Sequence, residues 1–434
     1  MKGAFGGIPK HWQLTRVDRV ASVNARIGWK ALTAAEYQED GYAFLATPNI
    51  KSAEIDFENV NFISEFRYEE SPDLKLATGD VLLAKDGNTL GIVNIVRDLP
   101  RPATVNGSIA VLRAHDVDPN FLRYVIASDI TQSAISAVKD GMGVPHLFQR
   151  DINRLAVPLP SAEEQRRISR FLDVQIGHTD DVIAKRTRQL ALLGERELSA
   201  VFHAVRGASQ SGQRKGSGLA WMGSVPEAWA VAAVSHHYEV LLGKMLNQER
   251  VEGEYLRPYL RNTNVQWDRI ATHDLLRMNF PPGERSRYEV RAGDLLICEG
   301  GEPGRSAIWR GEVGEIYYQK ALHRARPRGE SSVRWLYYCM RAATALNVFA
   351  VEGNTTTIAH LTGEQLRVLR FPFPPREVQD QITSELDEEV RSLRDLANRV
   401  GEQLDLLAER RSALITAAVT GQIDVTTARG VRVP

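Results

Sequence analysis

The chain has 434 residues, with 54 Lys and Arg against 54 Asp and Glu, so its formal net charge at neutral pH is zero. That balance lacks the basic excess that announces many nucleic-acid-binding domains, so any phosphate-binding surface must come from uneven placement of Lys and Arg. No apolar run approaches the roughly 20 residues of a membrane helix, and the opening MKGAFGGIPKHW has no apolar signal core. A cytoplasmic protein without a membrane partner is therefore expected.

Along the chain, one half is echoed by the other. Near the start GIPKHWQL contains Pro9 and Trp12, matched later by Pro226 and Trp229 of SVPEAWAV. YAFLATPNI has its counterpart in RPYLRNTNV, and ATGDVLLAKDGNTLG in RAGDLLICEGGEPGR, with Gly79-Asp80 and Gly293-Asp294 standing 214 positions apart. The same spacing relates HLFQRDINRLAVPLPSAEEQRRI, from His146, to HLTGEQLRVLRFPFPPREVQDQI, from His360. A repeat of this length means one structural unit built twice, with framework kept and loops varied.

Within each half, short apolar runs broken by Gly, Asn, Asp and Pro indicate strands and turns. GDVLLAKDG and GDLLICEGG have the pattern turn, strand, turn. FLRYVIASDITQSAISAV and VRWLYYCMRAATALNVFA carry apolar residues at helical spacing, which predicts one helix in each. Proline in LAVPLP and LRFPFP predicts an edge strand or an exit from the sheet. Trp12 and Trp229 are expected in the core.

The next segments, from Ser161 to about Arg206 and from about Pro375 to Thr420, are long helices. Ser161 and Glu164 have the spacing of a capping box. Ile168, Leu172, Ile176, Ile183, Leu190, Leu193 and Val201 line the first. In the second, Leu386, Leu393, Val400, Leu407 and Leu414 recur every seven residues, flanked by Ile382, Val390, Leu396 and Leu404. Sustained heptads argue for a coiled coil, and each helix would find its only partner of matching length in the other, running antiparallel. The simpler reading is two separate amphipathic helices, each folded onto its own domain. GASQSGQRKGSG, from Gly207, is a flexible connection by composition.

The expectation is an α+β protein with two homologous mixed domains separated by two long helices in a pseudo-two-fold arrangement. Its parts are a first domain (1–160), a first helix (161–206), a linker (207–218), a second domain (219–374), a second helix (375–421) and a tail (422–434). Cys298 and Cys339 lack metal-like spacing; they could form a disulfide, although reduced structural thiols suit a chain without a signal segment.

Catalytic signatures are missing. There is no phosphate loop, no dinucleotide-binding glycine motif, no nucleophile elbow, no HExxH and no CxxC. RFPFPP, from Arg370, superficially resembles the Asn-Pro-Pro-aromatic motif of adenine methyltransferases but lacks the amide before the prolines. Neither a catalytic nor a metal site is expected.

The order of these pieces, duplicated over nearly the whole chain, resembles the specificity (S) subunit of Type I restriction–modification systems. GIPKHW, LAWMGSVPEAW, the Gly-Asp-x-Leu turns, the His-Leu…Pro-x-Pro…Glu-x-Gln-x-x-Ile blocks and the ending LLAERRSALITAAVTGQIDV carry the resemblance. It implies a non-catalytic subunit that binds an asymmetric bipartite duplex DNA site, one half-site per domain. It also implies two modification (methyltransferase) subunits and two restriction (translocase/nuclease) subunits as partners. S-adenosylmethionine, ATP and Mg would then be bound by those partners and not by this chain. The first helix ends LSAVFHAVRG where the second has the more family-like RSALITAAVTG, so docking of the two modification subunits need not be symmetric. The competing reading, favoured by zero net charge, is a two-headed scaffold for protein partners.

Base readout needs side chains that pair with base edges, and phosphate contacts need cations and amides. The candidate turns offer Lys85, Asn88, Thr104, Asn106 and His146 in the first domain. The second offers Arg305, Gln319, Lys320, Asn354, Thr355, Thr356 and His360. The paired histidines at matching places suit a framework role better than discrimination between bases.

Overall fold

The computed structural model describes residues 5, 7–25, 32–137, 145–245, 252–351 and 360–425. Its contacts divide the chain into two compact units, one of residues 1–188 with 401–434, the other of residues 189–400.

In the first unit the four-stranded sheet has the order β2 (Ala21–Asn24), β8 (Ile109–Ala114), β5 (Val81–Ala84), β6 (Val93–Ile95), all antiparallel. A three-stranded sheet runs β4 (Asn61–Ile63), β3 (Tyr42–Leu45), β7 (Ala103–Val105), with β3 and β7 parallel. β1 (Gln13–Arg16) pairs with β9 (Ala156–Leu159) alone, which leaves Pro158 on a two-stranded edge as its missing N–H requires. One core, which includes Val81, Leu83, Leu112, Phe121 and Val125, is closed by the long-helix residues Ile168, Leu172, Ile176, Ile415 and Val419. A second core fills the space around Leu45, Leu82, Val105 and Val111.

The second unit has the same strand orders. The four-stranded sheet is β13 (Tyr238–Leu242), β21 (Leu322–Pro327), β18 (Leu295–Cys298), β19 (Ser306–Ile308). The three-stranded sheet is β17 (Leu276–Asn279), β14 (Leu256–Leu260), β20 (Tyr317–Tyr318), again with one parallel pair. β12 (Ala230–Ala233) pairs with β22 (Arg370–Phe373). Its main core joins Trp229, Trp335 and Phe371 to Val201, Val205, Ile382, Leu386 and Val390 of the long helices.

Conserved contacts accompany the shared topology. The Asp80 carboxylate accepts from the Ala77 amide and pairs with Arg113 at 2.8 Å. Asp294 does the same with the Arg291 amide and Arg326 at 2.7 Å. Gly79 and Gly293 both have φ near +90°, the backbone conformation that makes this turn glycine's. Gln165 donates to the Pro160 carbonyl and accepts from the Asp118 amide; Gln379 repeats this with Pro374 and Ser332. The buried Gln thus ties the start of each long helix to the N-cap of another helix, α1 (Pro119–Ala127) in one unit.

Two sequence expectations need correction. The predicted single helix in FLRYVIASDITQSAISAV is two, α1 and α2 (Asp129–Ala137). Ser128 between them is extended, and its hydroxyl donates to the Val125 carbonyl, ending α1 in the way short polar side chains compete with helix. Part of the supposed flexible connection is a strand, β10 (Arg214–Gly216), paired with β11 (Ser224–Pro226). The Arg214 guanidinium fixes it by donating to the Arg206, Gly207 and Ser224 carbonyls. Neither Cys298 nor Cys339 is in a disulfide; both are buried thiols, and burial pushes that of Cys298 up to about 11.

The long helices are α3 (Ala162–Val205) and α5 (Arg376–Val419), 44 residues each, or about 65 Å of helix. Ser161 caps α3: its amide and hydroxyl both bond Glu164, and its oxygen accepts from the Glu164 amide. Among the seam positions Ile168, Leu172, Ile176, Ile382, Leu386, Leu393 and Val400 are buried, whereas Ile183, Leu190, Leu193, Leu407 and Leu414 are half-buried. No described helix is both long and apolar enough to cross a membrane.

Candidate nucleic-acid interface

In the first unit two loops meet. Leu147 donates its amide to the Lys85 carbonyl, and Gly87 donates to Pro145. His146 and Asp86 face each other across that bridge and are hydrogen-bonded through Nδ1. The pairing places Asn88, His146 and the segment after it on one surface. Asn88 is exposed there, whereas His146 is held by its carboxylate partner, as a framework histidine would be.

Two other candidates are not on that surface. Lys85 is 3% exposed at the end of β5, with its ammonium 3.5 Å from Asp86. Thr104 is 4% exposed inside β7 and donates to the Leu74 carbonyl. β7 lies parallel to β3 within a covered sheet, so its middle residue has no solvent face. Asn106 is half-buried and accepts from the Ser108 amide, the turn geometry typical of Asn.

The sequence reasoning passed over Phe148 and Arg150, which complete the surface. Phe148 is 49% exposed, its ring packs edge-on to His146 with centroids 4.5 Å apart, and the Arg150 guanidinium lies 5.2 Å from its centre. Phe148 and Arg150 thus give this surface an open ring beside a mostly exposed cation. The signal was available: at the 214 spacing these positions hold Thr362 and Glu364, so the repeat breaks there.

In the second unit the equivalent bridge is kept, with the Leu361 amide donating to Glu299. Gly300 stands where the first unit has Asp86, and the exposed His360 packs against it, 3.0 Å from where a Cβ would be. Arg305 is not free to reach outward. Its guanidinium donates to Asn262 Oδ1 at 2.8 Å and faces Glu302 at 3.5 Å, and Glu302 also accepts from Trp267. Gln319 is half-buried, bridged to Lys244, while Lys320 is exposed. Asn354, Thr355 and Thr356 lie outside the described residues. No group of three or more His, Cys, Asp or Glu suited to a metal occurs among the described residues.

Each unit also holds a cleft against its long helix, about 790 Å³ in the first and about 690 Å³ in the second. Both are lined by Arg and Asp already joined to one another, Arg123 to Asp173 and Arg334 to Asp387. Their chemistry is that of internal ion pairing.

The comparisons with known proteins agree with this architecture. A family model described as the Type I restriction modification DNA specificity domain matches residues 9–192. The putative Type I restriction enzyme MjaX specificity subunit of Methanocaldococcus jannaschii is 21% identical over 98% of this chain and 97% of its own length. The EcoKI specificity subunit of Escherichia coli is 19% identical over 96% of this chain and 90% of its own. The match to the MjaVIII specificity subunit, 25% identical, is partial: it covers 39% of this chain and 41% of that protein. A solved structure, described as the structural basis of complex assembly and conformational transition of the type I R-M system, has a TM-score of 0.68. It is 17% identical and covers 96% of this chain and 99% of that one, a likeness of fold. Over nearly its whole length the chain is similar to specificity subunits of Type I restriction enzymes.

Proposed function

We propose that this chain is the non-catalytic DNA-recognition subunit of a Type I restriction–modification enzyme. Each unit reads one half of an asymmetric, bipartite duplex site through its own loops. α3 and α5, paired antiparallel as a coiled coil, set the number of unread base pairs between the halves. Two methyltransferase subunits and two restriction subunits dock on the framework and bring the S-adenosylmethionine, ATP and Mg.

The observation that carries this reading is the recurrence of one set of strand orders in two units whose loop chemistry differs. A framework built twice with unlike loops suits a ligand made of two unlike halves on a repeating backbone. Protein dimers read such half-sites about one helical turn, or a multiple of turns, apart. Zero net charge supports a weak grip by the chain alone, with phosphate contacts supplied by the methylating partners. It is also the observation on the side of a two-headed protein scaffold.

Mapping adenine methylation genome-wide, with and without this gene, tests the proposal. One bipartite motif that disappears with the gene is the expected result. Absence of any gene-dependent motif, together with no salt-dependent shift of duplex DNA by the chain and its methyltransferase partner, overturns it in favour of the scaffold.

A further inference from the structure

At the 214 spacing Ile168 corresponds to Ile382, Leu172 to Leu386, Ile176 to Val390, Val201 to Ile415 and Val205 to Val419. The ends of the two helices therefore offer like rows of apolar side chains, and burial there separates like from unlike pairing only weakly. The middle differs, with Leu393 and Val400 of α5 at the places of Thr179 and Arg186 in α3.

The charges beside the seam are different. In the first unit Asp180 of α3 pairs with Arg411 of α5, Nε to Oδ1, at 2.8 Å. In the second unit Glu197 of α3 pairs with Arg394 of α5 at 2.9 Å. Asp180 and Arg394 occupy corresponding positions of the repeat, and so do Glu197 and Arg411. That correspondence is anchored at both ends of the helices, by Gln165 with Gln379 and by Gly207 with Gly421. At both corresponding positions the acid is on α3 and the base is on α5.

We infer that these two ion pairs are a pairing code that admits α3 with α5 and rejects like helices of two copies. If α3 met a second α3 in the observed antiparallel register, Asp180 would face Glu197 twice. If α5 met a second α5, Arg394 would face Arg411 twice. Like charges at such contacts destabilise about as much as opposite charges stabilise, a few tenths of a kcal/mol each. Four contacts change sign together, which is how a weak term at each adds up to a discrimination between like and unlike partners. A third pair, Arg196 with Glu389, is 4.0 Å apart and largely exposed, and its corresponding positions, Gln175 and Arg410, lie outside the code. Glu197 is further held by Arg341 at 2.5 Å, so the Asp180–Arg411 pair is the one open to exchange without disturbing a third group.

The use of such a code rests on the proposed function, since it would keep two unlike heads together instead of two like ones. Its test needs no DNA, so its failure and the failure of that proposal are distinguishable. The doubly substituted full-length chain Asp180→Arg/Arg411→Asp keeps an opposite charge across both pairs within the chain. Between like helices it sets Arg against Glu197 and Asp against Arg394, so repulsion becomes attraction. Wild type, this variant and the neutral Asp180→Asn/Arg411→Gln are refolded from denaturant over a range of concentrations, and dimer is measured by light scattering after size exclusion. The exchanged variant is expected to melt within a few degrees of wild type and to dimerise on the order of a hundredfold more tightly. The neutral variant should show a smaller rise, about tenfold. Pairing of α3 with α5 of another copy is equally favoured in wild type and exchanged chain, so it produces no difference between them. Wild-type dimerisation in a folded exchanged variant overturns the inference. If that variant does not fold, wild-type dimerisation in the neutral one does so.

Discussion

The Tyr124 hydroxyl donates to Asp173 at 2.7 Å, tying α1 of the first unit to α3. The second unit contains the same bond between Tyr338 of Val333–Ala345 and Asp387 of α5, at the same spacing in the repeat. In each unit the tyrosine ring is buried in the core that the long helix closes, and its hydroxyl bonds a carboxylate of that helix. Burial and the adjoining carboxylate raise both phenols well above their ordinary value, so both stay protonated donors. Arg123 joins the first pair, and Arg334, shared with Asp268, joins the second.

Replacing Tyr124 or Tyr338 with Phe removes the hydroxyl's hydrogen bond to a carboxylate and keeps the ring. A loss of about 1.5–3 kcal/mol of stability is expected from each, read by denaturant unfolding. Asp173→Ala should cost more than Asp387→Ala. It strands both Tyr124 and Arg123, whose side chain is 11% exposed, whereas Arg334, at 18%, keeps Asp268 when Asp387 is removed. Equal losses at the two carboxylates would show that solvent replaces both equally.

Gly207 and Gly421 close the two units in the same way. Each follows a long helix with φ of +62° or +71°, and each lies under a tryptophan and a proline, Trp229 with Pro226 and Trp12 with Pro9. A Cβ would come within 2.6 Å of Trp229 at the first and 2.5 Å of Pro9 at the second, so both backbone strain and overlap act together. Gly207→Ala and Gly421→Ala are expected to lower stability by about 2–4 kcal/mol each. Gly177→Ala, inside the helix that Gly207 follows and with nothing within 4 Å of its Cβ position, should raise it slightly. Thermal unfolding of the three variants side by side checks the order.

The placement of these contacts shows what was open to sequence reasoning. The repeat carries the Gly-Asp turns at the 214 spacing and Trp12 and Trp229 at 217, while the capping Ser161 shows in its own spacing to Glu164, because each depends on local chemistry. Tyr124 and Asp173 with Tyr338 and Asp387 were equally visible as matched identities, yet only the fold reveals that they touch. Lys85 and Thr104 were misplaced because strand register decides which side of a sheet is covered, and a loop-like sequence does not disclose register. Arg305 looked like a free cation because its partner Asn262 lies 43 residues away. The ion pairs beside the seam escaped a heptad reading that recorded apolar positions alone.

Acid should loosen the start of α3. Burial would raise the pKa of Glu164, but hydrogen bonds from His11 and Ser161 outweigh it and bring the carboxyl down to about 2. A carboxyl depressed below its unfolded value near 4.5 contributes stability that is full above that pH and is lost as pH falls from there towards 2. Glu164→Gln should therefore narrow the drop in stability between pH 5 and pH 2. Ser161→Ala should raise the Glu164 pKa, followed by NMR titration, and cost about 1 kcal/mol as a lost cap. An unchanged Glu164 titration in Ser161→Ala would mean that His11 and the amide of residue 161 hold it without the hydroxyl.

Phe148, an exposed aromatic of the first unit, provides the sharpest local test of DNA recognition. Phe148, Arg150 and Asn88 share one surface with a rigid base in the His146–Asp86 bridge, and Thr362 and Glu364 replace the first two in the second unit. Arg150→Ala, assayed in the complex with the methyltransferase partner, should weaken duplex binding across all sequences and reduce the salt slope by about one. Phe148→Ala removes apolar contact without charge, so it should weaken binding and leave that slope unchanged. Asn88→Ala should relax preference at one position of one half-site, with about 1–3 kcal/mol of discrimination lost there and none in the other half. Discrimination lost equally in both halves would mean that Asn88 shapes the protein instead of touching a base, because a direct contact can act only where its own unit sits.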